Sequence, residues 1–311
     1  MKPAVFAIAS FEDYELVDSG AGEKLERYGG RLVRRPDPQA LWQRRAASSE
    51  WAAADLRFER DLASGGKHGD WVPRDDTSPR AAASEWSVRW RDVTCIVRPT
   101  PFKHLGLFPE QAANWEWLRQ LAPLLTGARP RLLNLFGYTG IASIVAVRAG
   151  FEVTHVDASK TSLAWMRENA RASGLADDSM RIVLDDALAF ARREVRRGAK
   201  YNAIVLDPPH FGRGPKGETW QFEDHMAAMV EACRELLAQR AALVLSTYAI
   251  GFSPLSFVNL LGELGPGVID SGELVLRERV RAGLPERFLP CGFCARFWRG
   301  LDALRAESAR P

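Results

Sequence analysis

Cysteine is scarce in this sequence. Its 311 residues include only Cys95, Cys233, Cys291 and Cys294, too few and too scattered for the disulfide framework of a small secreted domain. Cys291 and Cys294 have the spacing of a metal-binding pair, but no second pair accompanies them, and structural zinc normally takes four ligands. We therefore expect two small packed side chains there, and no metal.

Long apolar runs are also missing. No stretch approaches the roughly 20 apolar residues that span a bilayer, so we expect no membrane partner. The N-terminal segment Met1–Ser10 is faintly signal-like, but its apolar run is short and Phe11-Glu12-Asp13 follows at once, whereas a signal peptide has about 7–15 apolar residues. This segment therefore predicts the start of a strand in a cytoplasmic protein.

Neither charge sign is in clear excess. The 42 Lys and Arg residues against 39 Asp and Glu residues give a net charge of +3, which is compatible with an anionic partner without selecting one. With 46% hydrophobic and 26% charged residues, the composition is that of an ordinary globular protein. The length suggests two domains.

Residues 1–100 predict a small β-rich domain. Apolar residues alternate over 86–90 and again, in the opposite phase, over 93–97, which predicts a β-hairpin with a tight turn at Arg91-Asp92. Gly, Ser, Pro and charged residues dominate 63–83 and predict a mobile loop. The tryptophans of this region are expected in its core rather than on a base-stacking platform; they are Trp42, Trp51, Trp71, Trp86 and Trp90.

From residue 101 onward apolar strands alternate with amphipathic helices. After a leading helix over 109–125, the patterns predict strands at 131–136, 152–156, 181–184, 201–206 and 241–246, and edge strands near 273–278 and 293–298. They predict helices at 141–149, 160–173, 187–197 and 218–238, with a long loop before the last one. Such alternation is typical of a parallel sheet covered on both faces. We expect an α/β fold over 101–311, a doubly wound, seven-stranded, Rossmann-like sheet.

A glycine-bearing turn follows the first of these strands. Leu132-Leu-Asn-Leu-Phe-Gly-Tyr-Thr-Gly140 runs from a buried strand into a turn and then a helix. Glycine lets a ligand approach the backbone closely, and the N–H groups of the helix favour an anionic group. The turn lacks the full G-x-G-x-x-G pattern of a dinucleotide site, which disfavours a dehydrogenase. A plain βα turn is the alternative.

Acidic residues end the next two strands. Asp157 could accept hydrogen bonds from both hydroxyls of a ribose, and Asp186 is placed to accept one from an adenine amino group. Either aspartate could instead cap the following helix.

The fourth strand ends in Asp207-Pro-Pro-His-Phe211. Two prolines fix the backbone and remove two donors, so a carboxylate and an aromatic ring would be held at the ligand-binding edge of the sheet. The carboxylate can bind an amino or ring N–H of a base, and Phe211 can stack on its face. A purely structural turn is the alternative.

Together these segments resemble the class I S-adenosylmethionine-dependent methyltransferases. The likeness consists of Asn134–Gly140, the strand-end Asp157, Asp186-Ala187 and Asp207-Pro-Pro-x-Phe211, in this order. Within that class the chain is similar to the bacterial large-subunit ribosomal RNA methyltransferases, whose best known members modify cytosine C5 or guanine N7. Leu107-Phe-Pro-Glu-Gln111 also resembles that family's segment over the cofactor. The likeness is strongest over 102–217.

The resemblance implies S-adenosylmethionine as cofactor and RNA, chiefly ribosomal RNA, as substrate. The implied cofactor contacts are Phe108, Gln111, Asn134, Phe136, Gly137, Tyr138, Thr139, Gly140, Asp157, Ser159, Asp186, Ala187 and Asp207. The implied catalytic corner is Asp207, Pro208, Pro209 and Phe211. Beyond the resemblance, His210 is a candidate base or substrate contact, and Arg213 and Lys216 either bind phosphate or hold their loop. The cluster from Arg192 to Lys200 is expected to be a solvated helix face.

One departure from the family concerns the methylated atom. Members that act on cytosine C5 use a cysteine after the fifth strand, because a thiolate must first add to the ring. Here that strand ends Ser246-Thr247-Tyr248, which favours transfer to a nitrogen or oxygen. Methylation of a small molecule or protein side chain, and a non-catalytic cofactor-binding fold, stay open as alternatives. The intact Asp207 corner disfavours the non-catalytic reading.

Overall fold

The structure, a computed structural model, describes residues 4–8, 10–61, 68–74, 84–125, 129–248 and 251–301. The chain forms two compact units. The first comprises Met1–Phe6, Ala113–Leu274 and Gly292–Pro311, and the second comprises Ala7–Ala112 and Val275–Cys291. Compactness alone does not show where a separately folding domain ends, so the boundary expected between residues 100 and 101 stays a prediction.

Strands and helices have the following bounds. The strands are β1 Ala4–Phe6, β2 Tyr14–Gly20, β3 Glu23–Tyr28, β4 Arg31–Pro36, β5 Leu56–Arg60, β6 Gly69–Pro73, β7 Trp86–Trp90, β8 Val93–Val97, β9 Arg131–Leu135, β10 Glu152–Asp157, β11 Arg181–Leu184, β12 Tyr201–Leu206, β13 Phe211–Arg213, β14 Thr219–Gln221, β15 Leu237–Thr247, β16 Val268–Arg277 and β17 Phe288–Arg299. The α-helices are α1 Ser48–Ala52, α2 Ala112–Leu121, α3 Ile141–Arg148, α4 Lys160–Ala172, α5 Ala187–Arg196, α6 Phe222–Leu236 and α7 Pro254–Gly262.

The first unit is built on an eight-stranded sheet in the order β1-β16-β17-β15-β12-β9-β10-β11. β15, β12, β9, β10 and β11 are parallel, whereas β17 runs antiparallel to β15. This arrangement confirms the α/β fold class. The sheet has one strand more than the seven predicted, because β1 pairs in parallel with β16.

Apolar runs place the centre of this sheet in a core. Leu133 and Leu135 of β9 and Ile204 and Leu206 of β12 are fully buried, in one cluster with side chains of α5, α6 and α7. Strands buried on both faces appear as continuous apolar runs rather than alternations. For this reason the central strands were predictable from the sequence.

The chain after β12 differs from the prediction. Instead of a long loop and a helix beginning near 218, residues 211–221 form the hairpin β13–β14, and α6 begins at Phe222. Trp220 is 3% exposed, so its burial fixes β14 against the core where the sequence suggested a free loop. The leading segment also differs, because Pro109–Gln111 form a 3-10 turn before α2.

The second unit contains the sheet β2-β3-β4-β5-β6 and the hairpin β7–β8. The hairpin confirms the prediction for 86–97, and Arg91 adopts a left-handed φ of 51° in its turn. Of the loop predicted at 63–83, residues 69–73 form β6 instead, while 63–67 and 75–83 lie outside the described residues. Of the tryptophans expected in the core, Trp51 and Trp90 are fully buried.

Candidate functional site

Four parallel strands bring the predicted site segments to one edge of the sheet. Leu135 of β9 lies beside Leu206 of β12 and Val156 of β10, and Asp157 lies beside Leu184 of β11. The turn at 136–140, Asp157, the segment 185–187 and the corner at 207–209 therefore follow the carboxyl ends of neighbouring strands. Ligands bind at this edge in open α/β sheets.

The turn after β9 has an unusual backbone. Phe136 and Tyr138 have left-handed φ angles of 59° and 50°, which non-glycine residues seldom adopt outside functional turns. Gly140, at φ 80°, leaves no room for a side chain, since a Cβ there would lie 2.0 Å from Met166 Cγ. The N–H of Gly137 donates to the carbonyl of Val156 at 3.0 Å. The turn is thus tied to the end of β10.

Asp157 receives backbone N–H groups on both carboxylate oxygens. Tyr138 N donates to Oδ2 and Ser159 N to Oδ1, each at 2.8 Å. Burial raises the pKa of Asp157 above its usual 3.8, and these two hydrogen bonds partly oppose the rise. The cap of α4 is Ser159, whose Oγ accepts from Ser162 N at 3.1 Å. Capping therefore does not account for Asp157.

Asp186 shows the opposite outcome. Its Oδ1 accepts a hydrogen bond from Ala189 N at 2.8 Å and caps α5, which begins at Ala187. Asp185 accepts from Asp186 N at 3.0 Å and forms an ion pair with Arg193. The capping alternative therefore holds for Asp186, and a role toward adenine stays a prediction.

Asn134 belongs to a buried polar chain beneath the turn. Its Nδ2 donates to Ser143 Oγ at 2.9 Å, and Ser143 Oγ lies 2.9 Å from His155 Nδ1. Burial lowers the pKa of His155 to about 3, so the ring is neutral at physiological pH. A Cβ at Gly137 would lie 2.2 Å from the His155 ring. His155 was not predicted as a site residue, since its only signal in the sequence is a polar residue inside an apolar strand.

The corner after β12 combines a half-buried carboxylate with a braced backbone. Asp207 is followed by the buried Pro208 and the exposed Pro209. The indole Nε1 of Trp220 donates to the carbonyl of Pro209 at 2.8 Å, and Phe222 N donates to the carbonyl of His210 at 2.9 Å. The first bond comes from β14 and the second from the first residue of α6.

The β13–β14 hairpin exposes the remaining predicted substrate residues. Phe211 pairs with Gln221 and Arg213 with Thr219, and Gly212 pairs with the buried Trp220 on the other face. Phe211 is 53% exposed. Lys216 at the tip is also exposed, and its backbone N–H donates to Glu218 Oε2 at 2.8 Å. His210 Nδ1 lies 3.6 Å from Glu223 Oε1.

Cys294 lies nearer to this edge than the sequence suggested. It pairs in register with Ser246 of β15, the strand next to β12, and its Sγ lies 3.3 Å from Asn114 Oδ1. Burial raises the pKa of Cys294 to about 11, and the charge of Asp207 adds to the rise. Cys294 reaches this position through the pairing register of β17 with β15. That register cannot be predicted from a single sequence.

Phe108 and Gln111 belong to the second unit. Gln111 is buried, and its N–H donates to the carbonyl of Phe108 at 3.1 Å. Their roles toward a cofactor stay predictions, as does the cofactor contact expected of Thr139, whose carbonyl accepts from Asn169 Nδ2 at 2.8 Å.

Within the described part of the chain, no three His, Cys, Asp or Glu side chains are grouped so that they could hold a metal ion. Within the same ranges, no helix has both the length and the apolar character needed to cross a membrane.

Known proteins match both the fold and the site region. The profile of the family described as Conserved hypothetical protein 95 matches residues 110–243. The solved structure of a SAM-dependent methyltransferase from Agrobacterium tumefaciens is 40% identical, with a TM-score of 0.88 and coverage of 96% of this chain and 94% of that one. The similarity therefore extends over nearly the whole of both chains.

Two curated relatives match shorter segments. Ribosomal RNA large subunit methyltransferase I of Aeromonas salmonicida is 37% identical over 107 residues, which cover 34% of this chain and 26% of that protein. Ribosomal RNA large subunit methyltransferase K/L of Syntrophotalea carbinolica is 33% identical over 139 residues, or 44% of this chain and 18% of that protein. The matches thus span about a quarter or less of these relatives.

Proposed function

Because this chain belongs to the S-adenosylmethionine-dependent methyltransferases, we propose that it transfers the methyl group of that cofactor to a nitrogen or oxygen of an RNA base. One observation carries the proposal: Asp157 and the Asp207–Pro209 corner follow strands on either side of β9 at the same edge of the sheet. A cofactor bound at Asp157 and an acceptor base bound at the Asp207–Pro209 corner would therefore meet near the end of β9.

The donor set at Asp157 fits a ribose. Each oxygen of its carboxylate already accepts one backbone N–H, and a carboxylate oxygen has a further lone pair for a hydroxyl donor. Tyr138 N supplies one of these bonds, so the same interaction orders the turn that would contact the methionine part. When bound, the cofactor supplies an electrophilic methyl on a sulfonium. We assign it the further contacts Phe108, Gln111, Asn134, Phe136, Gly137, Thr139, Gly140, Ser159, Asp186 and Ala187.

The corner at Asp207 suits an acceptor base. An ionised carboxylate accepts hydrogen bonds from an amino or ring N–H, and it would orient the acceptor lone pair toward the methyl. Phe211, a few residues after Asp207, presents an exposed side chain, and aromatic rings stack on bases of any sequence. We assign His210, Arg213 and Lys216 to contacts with the surrounding nucleotides.

The cysteines favour a heteroatom over carbon 5 of cytosine. Addition to the ring needs a thiolate, but burial raises the pKa of Cys294 to about 11 and that of Cys233 to about 12. Both thiols are therefore protonated at physiological pH. A nitrogen or oxygen acceptor uses its own lone pair and needs only orientation and removal of a proton.

The RNA substrate rests on the two curated relatives named for ribosomal RNA of the large subunit and on the aromatic and cationic side chains of the hairpin. An rRNA substrate would also place the protein in the cytoplasm, where bacterial ribosomes are made.

The test uses rRNA from a strain that lacks this gene. Purified protein with S-adenosylmethionine should restore one methylated nucleoside, identified by mass spectrometry. Asp207→Asn keeps the shape of the side chain, and we expect it to lower the transfer rate about 10²-fold or more. Methyl transfer to protein or small molecules, with rRNA unchanged, would contradict the RNA substrate. Absence of transfer to any acceptor would favour a non-catalytic fold.

A second measurement distinguishes the methylated atom. RNA with tritium at cytosine C5 releases that label only when carbon 5 is methylated. We expect no release, and we expect Cys294→Ser to retain the wild-type rate. Tritium release together with an inactive Cys294→Ser variant would contradict transfer to a heteroatom.

A further inference from the structure

Trp220 contacts both sides of the proposed site from within the core. It is 3% exposed. Its indole Nε1 donates to the carbonyl of Pro209 at 2.8 Å, and its ring centroid lies 4.7 Å from that of Phe136, at an interplanar angle of 60°. One side chain thus contacts the corner after β12 and the turn after β9.

The hydrogen bond from Trp220 to Pro209 compensates for the backbone N–H donors that the two prolines lack. Pro208 and Pro209 have no N–H groups, so this segment cannot be braced by donors of its own. The indole N–H supplies a donor from β14, at the position paired with Gly212. Loss of this donor would leave the Asp207–Pro209 corner without that brace.

The Phe136 contact supports a strained residue. Phe136 has a left-handed φ of 59°, a conformation that is unfavourable for a non-glycine residue and persists only where the surroundings enforce it. The Trp220 ring packs on its side chain, within the core beneath the turn. A change at residue 220 would therefore reach the turn at 136–140.

We propose that Trp220 is a positioning residue that fixes the acceptor corner and the cofactor turn relative to one another. It does not itself contact the reacting atoms. The inference rests on the proposed function, because methyl transfer needs the acceptor about 3–3.5 Å from the methyl and in line with the leaving sulfur. Misplacement by about 1 Å in such a step costs about 10²-fold in rate.

Trp220→Phe tests this inference against simple core packing. The variant keeps an aromatic ring but loses the donor to Pro209. Trp298→Phe is the matched control, since Trp298 is 2% exposed and its Nε1 has no hydrogen-bond partner among the described residues. We expect Trp220→Phe to lower kcat about tenfold or more while KM for S-adenosylmethionine changes less than about twofold. Trp298→Phe should leave both constants near those of the wild type. Equal kcat values for the two variants would overturn the proposal.

A structural readout separates this proposal from the proposed function. Arg213 and Lys216 are exposed trypsin sites on the hairpin, and we expect Trp220→Phe to raise their cleavage rates severalfold relative to Trp298→Phe. Unchanged cleavage would also count against the positioning role. A wild-type protein that methylates nothing would overturn the proposed function, whereas an active wild type with an equally active Trp220→Phe variant would overturn only the inference.

Discussion

The carboxylate of Asp157 is largely removed from water and is still arranged to accept hydrogen bonds from a ligand. Burial opposes its charged form, while Tyr138 N and Ser159 N favour it. A carboxylate ordered by two N–H groups keeps fixed lone pairs for ligand hydroxyls. Much of its binding contribution would therefore come from preorganisation rather than from new contacts.

We expect Asp157→Asn to weaken binding of S-adenosylhomocysteine about 10- to 100-fold. Hydrogen bonds to a charged group contribute about 1.5–3 kcal/mol, and about 1.4 kcal/mol corresponds to a tenfold change in affinity. Calorimetry measures the change directly. Asp177→Asn, at an exposed residue, should leave the affinity unaltered, and equal affinities for both variants would argue against a ribose at Asp157.

The same residue predicts a pH dependence. Its pKa is raised above 3.8 by burial, and only the ionised carboxylate accepts two hydroxyl donors. Affinity for S-adenosylhomocysteine should be full above the raised pKa and fall as the pH is lowered through it. Calorimetry from neutral pH downward would show this decline in the wild type. A decline of the same size in Asp157→Asn would assign it to another group.

The sequence could not separate Asp157 from Asp186. Both end a parallel strand and precede a helix, so both patterns allowed a ligand contact or a helix cap. The structure gives the cap of α4 to Ser159 and the cap of α5 to Asp186 itself. The difference depends on which residue adopts the cap conformation, and propensity scales do not resolve shifts of one or two residues.

At the level of elements, sequence patterns predict strands that are buried along their whole length. They do not predict short strands in which a single residue is buried. β9 and β12 were predicted to within one residue, because their apolar runs reflect burial on two faces. The hairpin after β12 was missed because each arm has three residues, too few to show an alternation. Its tip, Gly214-Pro-Lys-Gly217, has the composition of a loop. Burial of Trp220 against distant strands supplied the missing constraint.

The hairpin leads to a prediction for RNA binding. We expect Phe211→Ala to lower affinity for single-stranded RNA by about 1–3 kcal/mol, the range found for base stacking on an aromatic ring, and to leave binding of S-adenosylhomocysteine unchanged. Phe102 is equally exposed, at 53% for each residue, which makes Phe102→Ala a matched control in filter-binding titrations. Equal losses in both variants would contradict a stacking role.

The two cations of the hairpin have their own test. If Arg213 and Lys216 neutralise phosphates, each charge removed should reduce the slope of log affinity against log salt by about 0.7 for single-stranded RNA. Arg213→Gln and Lys216→Gln are measured separately between low and moderate salt. An unchanged slope with weaker binding would mean that these residues only hold the loop.

At the scale of the whole molecule, the second unit joins segments from distant parts of the chain. Arg287 Nη2 lies 2.8 Å from Asp18 Oδ1, and Arg287 Nε lies 2.8 Å from Glu278 Oε2. Glu278 Oε2 also accepts from Ser19 Oγ at 2.7 Å. Nothing local in residues 1–100 signals that 275–291 completes this unit, because a single sequence contains no record of long-range partners. For this reason the sequence predicted a domain made of one continuous segment, residues 1–100.

We expect Arg287→Met to destabilise the protein by about 3–5 kcal/mol. Removing one partner of a buried ion pair leaves uncompensated charge, and here both Asp18 and Glu278 are almost fully buried. Denaturant titration followed by circular dichroism measures the loss. Arg171→Met, which breaks an exposed pair with Asp177, should leave the midpoint unchanged. Equal midpoints for the two variants would show that the Arg287 cluster contributes little.

The Asp18–Arg287 pair also has a temporal consequence. Ribosomes add about 5–20 residues per second, so Asp18 leaves the peptidyl-transferase centre roughly 10–50 s before its arginine is made. During that interval β2 has been made, while the arginine that pairs with its Asp18 is still unsynthesised. The second unit thus begins to be translated early but is completed only when 275–291 have been made. Until then, chaperones would encounter an incomplete unit.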